Sequence, residues 1–363
     1  MPVITPRFRL RRSRNGLSGF APKAAVQDRL SDLDGVGGNP GRLRARCYVP
    51  ERLEKGAPLV VVLHGCTQNA ALYDHGSGWS TLADRHGFAL LYPEQQRANN
   101  PMLCFNWFEP GDTRRGQGEA ASIAAMVETM VSTHGIDPKR IFLTGLSAGG
   151  AMASAMLANY PALFSAGAIL AGVAYGCADG VSEAFDCMGG RSRTDARALA
   201  QAVRRASPHD GPWPRVQVWQ GSADNTVVPS NADAIVLQWA GLHGLGAKPD
   251  RVDEVEGHSR SAWLGSDGKP LIEHYRIAGM AHGVPLDGKG EDALGQPGPH
   301  MLEVGLSSTQ RIAEFFGIAA EKRARRAAKP ASPAPRPAAK ARPAAIGPQA
   351  VIEKALRAAG LMR

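Results

Sequence analysis

Ile141-Phe142-Leu143-Thr144-Gly145-Leu146-Ser147-Ala148-Gly149-Gly150 is an apolar run that ends in the pattern G-x-S-x-G. The run reads as a buried strand, and residues 151–160, rich in Ala, Met and Leu, read as the helix that follows. A serine on a tight turn from strand to helix holds its hydroxyl clear of the sheet edge. The flanking glycines let the chain turn there and approach its neighbours closely. The helix N-terminus behind the turn favours developing negative charge. Ser147 is therefore the candidate nucleophile. The alternative, a glycine-rich turn with a buried serine, lacks a reason for both flanking elements.

Working outward, residues 43–50, 58–63, 88–92, 166–171, 216–220 and 272–277 read as strands, the last taken as the final one. Residues 79–86, 119–134, 231–242 and 302–316 read as helices, and residues 175–193 as irregular. Strands alternating with helices predict an α/β fold: a mostly parallel sheet with helices on both faces.

Acyl transfer needs a nucleophile, a base, a group that orients the base and donors for the oxyanion. In the α/β-hydrolase arrangement the first three follow one another as Ser, Asp or Glu, and His, each on a loop after a strand. Ser147, Asp224 in Gly221-Ser222-Ala223-Asp224, and His282 in Gly279-Met280-Ala281-His282-Gly283 fit that order. The competitors are placed less well. His258 and His274 precede or lie within a strand, His300 falls later, Asp210 lies ahead of its strand and Asp233 lies in a helix. The oxyanion donors expected are the backbone N–H of Ala148 and, from the turn at His64-Gly65-Cys66, that of Cys66.

The net charge of +9 over 363 residues is unevenly placed. Residues 321–363 hold 11 Lys and Arg against 2 acidic residues, and residues 1–30 hold 7 against 1. The remainder is net acidic, so the basic pI implies no basic active-site cleft. Three segments are expected: a basic extension over 1–30, a catalytic body over 31–318, and a low-complexity Ala/Pro/Lys/Arg tail over 319–363 with a short helix at its end. Such a tail is suited to an anionic surface, a nucleic acid or a polymer granule, although a plain solvated tail explains its composition as well. No apolar run is long enough for a membrane span. Residues 1–25 are Arg-rich and lack the apolar h-region of a secretory signal.

Five motifs in order resemble the esterase/poly(3-hydroxybutyrate) depolymerase family. They are Leu63-His64-Gly65-Cys66-Thr67-Gln68, Tyr92-Pro93-Glu94-Gln95, Cys104-Phe105-Asn106-Trp107, Gly145 to Gly150, and Gly279-Met280-Ala281-His282. The resemblance spans residues 43–316. It implies an α/β-hydrolase fold, a serine carboxylesterase mechanism, no cofactor, and a polyhydroxyalkanoate polymer or oligomer as substrate. Feruloyl and acetylxylan esterases are relatives with a similar core. The family is usually secreted, which sets the expectation of an extracellular protein against an N-terminus with no visible signal peptide, which leaves a cytoplasmic location open. Trp107 and Phe105 are expected either to line the acyl groove or to pack in the core. The tail has no Phe, Trp or Tyr, so an aromatic polymer-binding module is not visible in it.

Five cysteines leave at least one unpaired within the chain, and no Cys/His spacing suggests zinc. Cys66 and Cys104 fall in loops expected near the site, and Cys177 and Cys187 bracket one irregular segment. In an oxidising compartment the expected pairs are Cys66–Cys104 and Cys177–Cys187, with Cys47 free. In a reducing one all five are thiols.

Overall fold

The computed structural model describes residues 26–191, 195–290 and 292–320. The expected tail from residue 321 on, like most of the N-terminal extension, lies outside the described residues.

The first half of the chain contains β1 (Ser31–Asp32), β2 (Arg44–Tyr48), β3 (Leu59–Leu63), α1 (Ala70–Ser77), α2 (Trp79–His86), β4 (Ala89–Glu94), α3 (Pro110–Thr113), α4 (Gly118–His134), β5 (Ile141–Leu146) and α5 (Ala148–Asn159). The second half contains β6 (Ala166–Leu170), α6 (Val181–Met188), α7 (Ala196–Ala206), β7 (Arg215–Gly221), α8 (Ser230–His243), β8 (Arg251–Val255), β9 (His258–Leu264), β10 (Pro270–Ile277), β11 (Val284–Leu286), β12 (Met301–Glu303) and α9 (Ser308–Phe316).

Ten strands form one sheet in the order β1-β2-β4-β3-β5-β6-β7-β10-β9-β8. The six central strands, β4 to β10 in that order, run parallel. Antiparallel pairs finish both edges. A central parallel strand is covered on both faces, which is why β3 is apolar throughout and not alternating. Its alternate residues still go to opposite sides: Leu59, Val61 and Leu63 face a core built with Ile123, Met126, Met156 and Trp239. Val60 and Val62 face a second core built with Tyr73, Trp79, Leu82, Ile312 and Phe316. Helices α4, α5, α7 and α8 thus cover one face, and α1, α2 and α9 the other.

Four local expectations change. Residues 175–193 are not wholly irregular, because α6 forms within them. Residues 301–303 pair with β11 as a strand, so β10 is not the final strand and α9 starts only at Ser308. The Ser307 side chain caps α9 by accepting from Gln310 N at 3.3 Å, which fixes that start. The edge hairpin β8–β9 carries charged and polar residues on its open side, so its pattern is weak in the sequence. Finally, the body reaches back before residue 31. Leu30 is buried in the second core, and Arg29 donates to Tyr48 Oη at 2.6 Å and to Ser80 Oγ at 2.9 Å.

Leu143 lies fully buried in β5, four residues ahead of Ser147. Leu143→Ala should destabilise the protein by about 2–5 kcal/mol through lost burial and a residual cavity. Denaturant unfolding monitored by tryptophan fluorescence measures this, and an unchanged midpoint would show that the β5 layer is not packed as described.

Candidate active site

Ser147 has φ 56° and ψ −119°, a left-handed conformation that an L-residue with a side chain adopts only under constraint. The constraint is visible in its surroundings. Ser147 N donates to Leu170 O on β6 at 2.9 Å, and Ser147 O accepts from Ala151 N at 2.8 Å, which ties the turn to the sheet and to α5 at once. The two motif glycines are needed for contact. A Cβ on Gly145 would fall on the carbonyl of Gly149, and a Cβ on Gly149 on the carbonyls of Leu63 and His64. The helix therefore approaches β3 and β5 closely enough that only hydrogen fits between them.

Asp224 and His282 are brought together from the ends of β7 and β10, neighbouring parallel strands. His282 Nδ1 lies 2.7 Å from Asp224 Oδ2, and the Asp224 side chain is fully buried. Its Oδ1 accepts from the N–H groups of Thr226 at 2.8 Å and Val227 at 3.0 Å, and its Oδ2 also accepts from Gln220 Nε2 at 3.1 Å. A buried carboxylate with every oxygen engaged has one remaining task, to accept from His282 Nδ1–H. That bond selects the tautomer whose Nε2 is free to accept a proton. Ser147 and His282 both line one cavity.

Ala148 is the first residue of α5, so its N–H has no acceptor within the helix. Cys66 N–H likewise has no hydrogen-bond partner among the described residues, and both residues line the cavity. The loop that carries Cys66 is held from below. Gln95 N donates to His64 Nε2 at 3.1 Å, so His64 Nδ1–H donates to Gly65 O at 2.8 Å. Burial pushes the His64 pKa down and keeps the ring neutral, as that two-bond role requires. Gln68 Oε1 accepts from Gly65 N at 2.9 Å. Cys66 is disulfide-bonded to Cys104, and Gln95 Nε2 donates to Cys104 O at 3.0 Å. The same amide donates to buried Glu119, whose second oxygen accepts from Asn106 N at 2.9 Å. Three of the motifs singled out in the sequence, joined by Glu119, thus form one scaffold around the Cys66 turn.

The cavity has a volume of about 330 Å³, and among the described residues no Asp, Glu, Lys or Arg lines it. Its walls are apolar: Met102, Trp107, Phe108, Val173, Phe185 and Met188 among them. Phe105, expected beside Trp107, is instead fully buried in the core against His64, 5.0 Å between ring centroids. The loop turns between the two, so only Trp107 of the pair reaches the cavity. Phe108, α6 and His300 were missed by sequence reasoning. α6 is tethered by the Cys177–Cys187 disulfide and turns Val181, Ala184, Phe185 and Met188 to the cavity. His300, counted in the sequence as a weak competitor for the base, lines the cavity with its Nδ1 3.2 Å from His282 O. It is a non-glycine residue at φ 60°, a signal only the backbone carries. Of the other competitors, His258 bonds to Val304 O and Ala278 N, and His274 is buried in β10, where burial lowers its pKa to about 4. Cys47 is buried and free. Among the described residues no group of His, Cys, Asp and Glu is placed to hold a metal ion, and no helix is long and apolar enough to cross a membrane.

A family model described as Esterase PHB depolymerase matches residues 45–254. The poly(3-hydroxyalkanoate) depolymerase C of Paucimonas lemoignei is 45% identical over 291 residues, covering 80% of this chain and 70% of its own. The probable acetylxylan esterase A of Aspergillus clavatus is 32% identical over 278 residues, covering 75% of this chain and 88% of its own. The solved acetyl xylan esterase from Aspergillus awamori matches with a TM-score of 0.68 at 26% identity, over 80% of this chain and 99% of that one. With the sheet order above, this likeness makes the fold an α/β-hydrolase fold.

Glu119 supplies a test of the scaffold. Burial, reinforced by the nearby Asp112 charge, pushes its pKa from 4.5 up to about 8. The folded state therefore keeps a proton that the unfolded chain releases above its own lower pKa, so stability falls as pH rises from about 4.5 through about 8. Glu119→Gln, uncharged throughout, should flatten that part of the pH dependence. Melting temperatures of both proteins at pH 5 and pH 8 measure it. Equal slopes would mean that Glu119 is ionised in the fold.

Proposed function

Because the chain belongs to the esterase PHB depolymerase family and is a carboxylic ester hydrolase, we propose that it cleaves polyhydroxyalkanoate esters, as polymer or oligomer, with Ser147, His282 and Asp224 as its triad. The observation that carries this reading is the 2.7 Å contact between His282 Nδ1 and buried Asp224, beside a serine held at positive φ in the same uncharged cavity. In the mechanism, His282 Nε2 takes the Ser147 proton as Oγ attacks the ester carbonyl. The N–H groups of Ala148 and Cys66 receive the oxyanion, each such donor being worth about 2.7–4 kcal/mol in the transition state. Asp224 stabilises the imidazolium. His282 then protonates the leaving alcohol, and water, deprotonated by the same ring, releases the acyl group.

The apolar walls around Trp107 and Phe108 favour a hydroxyalkanoate over a sugar, and the relative with 45% identity is named for such a substrate. A second reading, an acetylxylan or feruloyl esterase, is supported by the TM-score of 0.68 to an acetyl xylan esterase. A panel of short p-nitrophenyl esters, 3-hydroxybutyrate oligomers, suspended polymer, and acetylated or feruloylated xylan separates the two. Turnover of the xylan esters alone would decide against the polyester. Ser147→Ala should abolish turnover of every substrate while leaving the melting temperature nearly unchanged. His282→Ala should be nearly as damaging, and Asp224→Asn somewhat less so. Greater damage from His300→Ala or His258→Ala than from His282→Ala would reassign the base.

We also assign residues 321–363, with their 11 basic and 2 acidic residues, a role on anionic surfaces. Deleting them should weaken salt-sensitive binding to such a surface and leave soluble-ester turnover close to unchanged. A large loss of that turnover would mean that this segment contributes to the catalytic body.

A further inference from the structure

We infer that a second cavity, adjoining the one that holds Ser147, binds the free carboxylate end of a hydroxyalkanoate oligomer through Arg114 and Arg205. The inference rests on the polyester reading above. The second cavity has a volume of about 240 Å³ and shares Trp107, Ala151 and Val173 with the first. Ala151 is one helical turn from the nucleophile, about 5.4 Å along the axis, and its N–H bonds to Ser147 O. A ligand seated on Ser147 therefore has little distance to cross before it reaches the second space.

The two cavities differ in charge. Among the described residues the first has no Asp, Glu, Lys or Arg in its lining, whereas the second is lined by Arg114, Arg205 and Asp179. Among the described residues neither Arg114 nor Arg205 makes a side-chain hydrogen bond or an ion pair, with Asp179 or any other group. Their sequence neighbours are engaged. Arg115 donates to Asn159 O at 2.8 Å and lies over the Tyr160 ring, and Arg204 donates to Gly241 O at 3.3 Å and lies over the Trp213 ring. Two uncommitted guanidiniums against one carboxylate leave this space with a net positive charge, and a guanidinium fork suits a carboxylate in particular. The floor is rigid: the buried Gln238 amide clamps Tyr175, accepting from its N at 3.0 Å and donating to its O at 2.9 Å.

A ligand that spans both spaces needs a neutral, apolar ester body and one anionic end. A polyhydroxyalkanoate chain is uncharged except at its carboxyl terminus, which meets that description. Chain direction then fixes which fragment lies there. When an ester inside the chain is cut, the acyl fragment on Ser147 keeps the free hydroxyl end, and the departing alcohol keeps the carboxylate. Water finally adds its hydroxyl to the acyl carbon, and the alcohol leaves with the proton from His282. The cavity thus holds the leaving fragment, and the enzyme favours cleavage near the carboxyl end.

The experiment compares three substrates: 3-hydroxybutyrate trimer as the free acid, the same trimer as its methyl ester, and p-nitrophenyl butyrate. The wild type should prefer the free acid to the methyl ester in kcat/KM. The double variant Arg114→Gln with Arg205→Gln should raise KM for the free acid by about tenfold, a rise in keeping with two charge-assisted contacts from exposed arginines. Its kcat should hold, and its kinetics on the other two substrates should not change. Added salt should raise the wild-type KM for the free acid and leave that of the double variant unmoved. Equal effects on all three substrates, or no wild-type preference for the free acid, would overturn the carboxylate site while leaving the polyester reading intact. Hydrolysis of p-nitrophenyl butyrate with no hydrolysis of either trimer would overturn the polyester reading and this site with it.

Discussion

The close approach of α5 to β3 and β5 is the constraint on which the site depends. Gly149 comes so near the Leu63 and His64 carbonyls, and Gly145 so near Gly149, that neither position has room for a Cβ. With the helix pressed onto the strands, Ser147 has no relaxed conformation open to it and is held at positive φ. Packing of two apolar cores against the flanking elements supplies the energy that a strained residue costs, of order 1–3 kcal/mol. The strain aims the hydroxyl away from the sheet, and the same geometry leaves the Ala148 N–H without a helical acceptor.

Around that turn, polar groups are buried only where each has a defined partner. Asp224 is fully enclosed, yet its oxygens receive two backbone N–H groups, an amide and His282. His64, Gln95 and Glu119 form a second enclosed set whose effect is to hold the Cys66 turn. Desolvation makes an unpaired member of either set costly, so each set tolerates one arrangement. Rigidity of this kind is what an oxyanion site needs, since its donors must be in place before charge develops.

The substrate side is built differently. Two disulfides tie its segments: Cys66–Cys104 in the lining beside Ser147, and Cys177–Cys187, which joins the loop before α6 to that helix. The second links a residue of the charged cavity to the helix that walls the uncharged one. Trp107, Ala151 and Val173 stand in the lining of both, so the apolar space and the basic one meet along these three residues.

Some of this could be read from the chain alone. The apolar run into G-x-S-x-G, the acid and histidine after later strands, and the alternation of strands with helices are local patterns. They pointed to Ser147, Asp224 and His282 and to the parallel sheet because backbone periodicity and turn chemistry are properties of short segments. What lay beyond local pattern needed the tertiary structure. Phe105 and Trp107 are two residues apart in one motif, yet one packs on His64 and the other faces the cavity, because side-chain direction in a loop depends on what surrounds it. α6, the edge hairpin and His300 have weak or no sequence signal. Each is shaped by a partner distant in sequence: a disulfide, a neighbouring strand, the carbonyl of His282. The two arginines of the second cavity read in the sequence as ordinary surface charges. Only the fold shows which of the chain's many guanidiniums line the cavity that adjoins the one holding Ser147, because that depends on contacts between segments and not on any segment itself.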